Sequence, residues 1–210
     1  MSAVMASDYR VRDFDTWWDA TEGGRLFLRE LRAHHLVVYR AISEPQRIFV
    51  TLGIQSVVPV QEVLRSGGLL KWYDAAGVED IPPVFVGRPV EKVRYFDDGP
   101  EPERTVPAVS VVVARIMPVR DLTSFLRVVH DRRERRIIAG CRQYWTYQAI
   151  DDPAEVMTLQ EIDTLEHAQA WLSHPEARRE FFESAGVGIY PDTFVGRLVE
   201  TVDIEPAPGV

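Results

Sequence analysis

The chain has 210 residues, 46% hydrophobic and 27% charged, with a formal net charge of −8. That balance fits a folded globular protein, and without dense Lys/Arg blocks interleaved with aromatics it leaves nucleic acid out as a partner. One cysteine, Cys141, excludes an intrachain disulfide framework and a cysteine-rich metal site; with no run of about 18 apolar residues and no basic-then-apolar leader, a cytoplasmic protein with no membrane partner is expected.

Taken in chain order, VRDFDTWW (Val11–Trp18) opens a helical stretch, YRAISEPQRIFVTL (Tyr39–Leu52) has hairpin chemistry, and GVEDIPPVFVGRPVEKV (Gly77–Val93) closes on a strand. RYFDDGPEPERTVP (Arg94–Pro107) follows, with the charges, glycine and prolines of a linker. Then the same signals return. VRDLTSFL (Val119–Leu126), YQAIDDPAEVMTL (Tyr147–Leu159) and GVGIYPDTFVGRLVETV (Gly186–Val202) answer the three earlier stretches at offsets of 108 or 109 (121 − 13; 186 − 77). A one-residue deletion between Pro153 and Thr158, with a later compensating insertion, would absorb the drift.

In the second half SVVVARIM (Ser110–Met117) predicts a strand ended by Pro118, and Asp121 predicts the N-cap of a helix through LTSFLRVVHDRRERRIIA with Leu122, Phe125, Leu126 and Val129 on one face. CRQYWTYQA and AEVMTLQEID form a hairpin around IDDP. LEHAQAWLSHPEARREFFESAG is helical, broken or restarted at Pro175 and capped by Gly186, and TFVGRLVETV is the last strand. This β-α-β-β-α-β order is ferredoxin-like, with four antiparallel strands and both helices on one face. The expectation is an α+β chain of two tandem ferredoxin-like repeats, 1–96 and 108–204, joined by a linker at 97–107 and followed by a tail at 205–210. A bare apolar sheet face is a liability, so the two sheets are expected to cover one another as one pseudo-dimeric α+β barrel.

The D-x-x-x-W/F start of the first helix, the Y-x-A-I-x-x-P hairpin, WLSHPEARREFFESAGV and the final P-x-x-F-V-G-R together resemble the dimeric α+β barrel superfamily, in particular its antibiotic-biosynthesis-monooxygenase-like branch. The resemblance runs through the whole chain, twice. It implies a range of activities: cofactor-independent quinone-forming monooxygenases, polyketide cyclases, haem-degrading enzymes, isomerases and proteins without known activity. The haem-degrading members carry a ligand histidine on the second helix, about ten residues after a tryptophan like Trp171. Here that count reaches Phe181, with Trp72 in the first repeat, so no haem is expected; no flavin or nicotinamide is implied either, and the cofactor expectation is none. A pseudo-dimer within one chain leaves a further homodimer open.

Alternation places Val50 and Leu52, matched to Met157 and Leu159, toward the helices, and assigns Phe49, Thr51 and Gly53, matched to Val156, Thr158 and Gln160, to the barrel interior. The second strands offer either His34, Leu36 and Val38 with Arg142, Tyr144 and Thr146, or the opposite phase with His35, Val37, Trp145 and Tyr147. Arg115, the one charge inside VVVARIM, is either a pocket residue or a salt-bridged residue at a sheet end. His34 and His35, as strand neighbours, should point to opposite faces, which rules out a paired chelate; either could be a general base. His167 and His174 lie seven apart without an acidic ligand at an established spacing, and no metal site is expected. His130 sits in an arginine-rich segment expected to face solvent. Trp17 and Trp72 match Phe125 and Phe181 and suit core packing, whereas Trp145 answers only Val37, so Trp145 and Tyr144 are the candidate aromatic wall.

Two functional readings follow. One is a cofactor-independent oxygenase or cyclase acting on a small aromatic or apolar, polyketide-like molecule held between the two sheets, with His34 or His35 as base, Arg115 or Arg142 as anion stabiliser, Tyr144 and Trp145 as wall, and Thr51 and Thr158 lining the site. The other is a non-catalytic metabolite-binding or structural protein.

Overall fold

The computed structural model describes residues 3–95, 111–173, 175–187 and 192–204. The expected linker at 97–107 and tail at 205–210 lie outside them. The chain is α+β: β1 (Ala3–Arg10), α1 (Phe14–Gly23), α2 (Arg25–Glu30), β2 (Ala33–Ala41), β3 (Arg47–Ile54), α3 (Val58–Ser66), α4 (Gly68–Ala75) and β4 (Val84–Arg94), then β5 (Val111–Pro118), α5 (Leu122–Asp131), α6 (Arg133–Ile138), β6 (Cys141–Ala149), β7 (Glu155–Ile162), α7 (Leu165–Ser173), α8 (Pro175–Ser184) and β8 (Phe194–Asp203). The strands pair antiparallel. Among the described residues no helix is long and apolar enough to cross a membrane.

Two compact units divide the chain, the first made of residues up to Arg88 with those from Leu198 onward, the second of Pro89–Arg197. β4 and β8 therefore each begin in one unit and end in the other. In the first unit β1 lies between β3 and the start of β4, and the end of β8 pairs with β2; in the second, β5 lies between β7 and the start of β8, and the end of β4 pairs with β6.

Local geometry recurs at the sequence offset. Asp13 and Asp121 are extended N-caps whose carboxylates accept from Thr16 N (2.8 Å) and Ser124 N (2.7 Å). Val11 bridges Val78 and Val119 bridges Val187. Each second strand bulges at its start, between Ala33 and His35 and between Cys141 and Gln143. The carbonyl of the extra residue accepts from the end of a last strand: Ile204 N to His34 O (3.1 Å) and Tyr95 N to Arg142 O (2.9 Å).

Three expectations are corrected. The helix foreseen over Leu122–Ala139 breaks at Arg132, where the backbone leaves the helical region (φ −103°, ψ 19°) and the guanidinium turns to Glu180 Oε1 (3.0 Å) and Ser184 Oγ (3.2 Å) on α8. The bulge overturns the opposite-face placement of His34 and His35. His35 is paired with Gly53, and the His34 ring also lies over Gly53, so close that a methyl there would stand 2.8 Å from Nε2; an extra residue on one strand breaks strict alternation.

The third correction concerns the third strands, which match without a deletion. Ala3 pairs Ile54 as Val111 pairs Ile162, and Ser7 pairs Val50 as Arg115 pairs Thr158. Thr158 and Gln160 are thus the counterparts of Val50 and Leu52 and share their face, while Met157 and Leu159 take the other. β7 is buried on both sides (Met157 0%, Thr158 1% exposed), so its hydrophobic pattern carried no information about face.

Candidate functional site

In the first unit the sheet's helix side is aromatic and apolar. Tyr9 on β1, Trp17 and Thr21 on α1, and Trp72 and Tyr73 on α4 line a cavity of about 40 Å³, with Met5, Ser7, Leu36, Val50 and Leu52 as its floor. Trp17 Nε1 donates to Tyr9 Oη (3.1 Å), and the Tyr9 ring lies 5.7 Å from that of Tyr73. Trp72 meets Trp17 edge-on at 6.4 Å and stacks on Phe27 at 6.4 Å. The rings thus meet one another in tilted, edge-on and stacked geometries. Ser7 Oγ sits near the Tyr73 hydroxyl yet completes no hydrogen bond of ordinary length. Burial pushes the Tyr73 phenol up to about 12 and the Tyr9 phenol well above its ordinary value, so both stay protonated donors at neutral pH. At roughly 10–15 Å³ per water the space holds about three small molecules of that size.

The same face of the second unit is polar. At an offset of 108 throughout (115 − 7), Ser7 becomes Arg115, Leu28 becomes Arg136, Leu36 becomes Tyr144, Val38 becomes Thr146, Val50 becomes Thr158 and Leu52 becomes Gln160. All six are buried, Arg115 at 2% and Arg136 at 6% exposure. Arg115 Nε donates to Thr193 Oγ1 (3.0 Å), and its guanidinium stands 5.8 Å from the Phe182 ring. Arg136 lies over the Tyr144 ring at 4.7 Å and donates to Val129 O. Burial raises the Tyr144 phenol despite the opposing pull of Arg136 and Arg115. Thr146 and Thr158 sit beside that phenol, but neither hydroxyl reaches a hydrogen-bond partner.

Arg115, Tyr144 and Thr158, named from sequence, come together, but on the helix side of their sheet and not on the face expected for Thr158. The other candidates do not join them. Trp145 points to the other face of β6, half-buried, with Lys92 Nζ 5.9 Å from its ring. Arg142 is the half-buried extra residue of its bulge, and Thr51 is on the face of β3 away from the cavity. His34 is exposed; His35 is half-buried, with Nδ1 2.9 Å from Asp203 Oδ1. His130 is exposed and pairs with Glu91 Oε1 (2.5 Å). Arg136 was missed because it stands in a run of arginines, beyond the break at Arg132 that separates α6 from the Phe125 and Val129 face of α5. Phe181 and Trp72, at the positions counted for a haem ligand, are ring-packed and have no donor atom suited to iron: Phe181 meets Phe125 at 6.3 Å, edge-on.

No family model and no curated protein matches the chain. Solved structures do. An anthrone oxidase-like protein superposes with a TM-score of 0.67 at 10% identity, covering 100% of this chain and 97% of that one. A putative monooxygenase from Fusobacterium nucleatum subsp. nucleatum ATCC 25586 gives 0.60 at 6% identity, covering 98% and 96%. A mutant chlorite dismutase from Candidatus Nitrospira defluvii gives 0.58 at 12% identity, covering 95% and 91%. At such identities the likeness shows a shared fold.

Proposed function

We propose that the chain is a tandem pair of ferredoxin-like repeats, a single-chain counterpart of the dimeric α+β barrel proteins, and that it holds a small aromatic or apolar molecule as a cofactor-independent monooxygenase or cyclase. The observation that carries this reading is the buried aromatic cavity of the first unit, walled by Tyr9, Trp17, Trp72 and Tyr73. The fold neighbours described as anthrone oxidase-like and as monooxygenases support it. In the simplest such reaction an activated CH₂ between aromatic rings and one O₂ give C=O and water, with the substrate supplying the electrons. Apolar walls orient the rings, and the neutral phenols of Tyr9 and Tyr73 donate to the oxyanion that forms. A three-ring substrate exceeds the space, so Trp72 and α4 must yield as it enters.

The second reading, a binder without catalysis, is favoured by one feature: no side chain lining the cavity can accept a proton at neutral pH, and His34 and His35 lie on the other side of the sheet. Titrating the protein with an anthrone while following tryptophan fluorescence, then measuring O₂ uptake, separates the two. Saturable quenching with uptake lowered at least tenfold in Tyr73→Phe supports the enzyme. Quenching without uptake supports the binder, and no quenching removes both.

A further inference from the structure

We propose that the buried polar face of the second unit, between β5, β6, β7 and α6, is a binding site for a small carboxylate. The first point is charge. Arg136 is 6% exposed, its guanidinium donates to a backbone carbonyl and lies over two aromatic rings, and it forms no ion pair with a described carboxylate. A guanidinium does not shed its proton in a protein, so the charge stays, and holding it out of water without a counter-ion is costly. The second is the fully buried hydroxyls of Thr146 and Thr158, both without a hydrogen-bond partner. Water alone could satisfy the hydroxyls, but an anion satisfies them and balances the charge.

The third point is convergence. Arg115 is paired across the sheet with Thr158 and Thr158 with Thr146, while Arg136 lies 4.7 Å over the ring of Tyr144, so the two cationic side chains and the hydroxyl donors share one face. Buried neutral hydroxyls and a planar guanidinium match a planar, singly charged acceptor with two oxygens, which is a carboxylate. The rings of Phe181 and Phe182, 5.5 Å from Arg136 and 5.8 Å from Arg115, give the body of such an acid an apolar surface. In the first unit the corresponding positions are Ser7, Leu28, Leu36, Val38, Val50 and Leu52, so a requirement of the fold does not explain the polarity.

The inference is independent of the aromatic cavity, since either site can fail with the other intact. The test titrates the intact protein with acetate and with 4-fluorobenzoate, read by ¹⁹F line broadening and by melting temperature against sodium chloride of equal ionic strength, with inorganic phosphate as a third probe. The expected result is saturable 1:1 binding of at least one carboxylate, weakened at least tenfold in Arg136→Gln. Because Arg136→Gln could fail to fold, Thr158→Val, which keeps shape and strand propensity, is expected to weaken binding by several-fold while leaving the melting temperature unchanged or higher. Three outcomes overturn the proposal: no saturable carboxylate binding, phosphate binding more tightly than either carboxylate, or a Thr158→Val protein that binds as its parent does.

Discussion

The helix-facing sides of the two sheets show one backbone plan carrying opposite chemistry. In the first unit Ser7, Leu28, Leu36, Val50 and Leu52 border an aromatic box that does not fill, with Val38 buried beyond it; in the second Arg115, Arg136, Tyr144, Thr146, Thr158 and Gln160 occupy the corresponding positions and leave hydroxyls unbonded. Caps, bulges and bridges are shared, so the fold rests on those and on a few large rings, while the floor positions are open to replacement. A core position that carries valine in one unit and an unbonded threonine in the other, as Val38 and Thr146 do, is not held by packing alone, since an unsatisfied polar group in a core costs about 1–3 kcal/mol. The difference thus points to a polar use for the second face.

The largest effects should fall on the rings the two faces share. Trp17 and its counterpart Phe125 are both 0% exposed. Replacing either by alanine is expected to cost about 3–5 kcal/mol in urea unfolding. Trp17→Ala should be the worse, because it also strips Tyr9 Oη of its 3.1 Å donor. If Trp17→Ala costs less than Phe125→Ala, the two rings do not hold equivalent posts.

Next comes the residue before each second strand. Arg32 and Gly140 share the left-handed conformation, φ 51° and 75°. A methyl on Gly140 would lie 2.1 Å from Asp163 Oδ1 and 2.4 Å from His167 Nδ1, so Gly140→Ala combines backbone strain with a clash and is expected to cost about 2–4 kcal/mol. Arg32→Gly relieves strain and should stabilise by up to about 1 kcal/mol. Melting temperatures moving in the same direction for both variants would break the correspondence.

The floor itself can be exchanged. Thr158→Val gives the second unit the residue of the first and removes an unbonded hydroxyl, for an expected gain of about 1 kcal/mol; Val50→Thr buries a new hydroxyl and should lose about 1–3 kcal/mol. Equal and small changes in both would mean that water already serves Thr158.

How much of this was legible follows from where alternation holds. β3 and β7 are buried in the same way on both faces, so burial of apolar residues sets the face of neither; in β3 the less apolar Thr51 and Gly53 at the alternate positions mark Val50 and Leu52 as the helix-facing pair. In β7, Val156, Met157, Thr158 and Leu159 are all buried, so a one-residue slip in matching the two units costs nothing in hydrophobic pattern yet reverses every side chain. The bulge that brings His34 and His35 to Gly53 leaves no mark in composition, because an extra residue is visible only against its partner strand. Arg115 stood out as a lone charge in an apolar strand; Arg136 was hidden among charged neighbours that do face water. The aromatic box was legible as rings but not as a cavity, since Trp17 and Trp72 equally suit a filled core.

The smallest expected effects are electrostatic and differ in sign between two kinds of acid. Asp13 and Asp121 are held below the usual aspartate range by the backbone N–H groups of Thr16 and Ser124 that they cap. Their folded forms therefore release protons more readily than the unfolded chain. The stability they add is complete above the unfolded value of about 3.9 and is lost as pH falls through their folded values. Glu155 behaves oppositely. Its position answers Arg47, which pairs with Asp8 at 2.5 Å in the first unit, but Glu155 is partly desolvated and has Asp151 and Asp152 nearby, which raise its carboxyl above the usual glutamate range. Its folded form binds protons more tightly, so it costs stability above that folded value and ceases to do so as pH falls through it toward about 4.3. Glu155→Gln should accordingly raise the melting temperature slightly at pH 7 and leave it unchanged at pH 4. Asp121→Asn, which keeps a capping oxygen without the charge, should flatten the acid limb below about pH 4. A Glu155→Gln gain that persists undiminished at pH 4 would show that the strand end is limited by packing around residue 155, and the contrast between Arg47 and Glu155 would then not be one of charge.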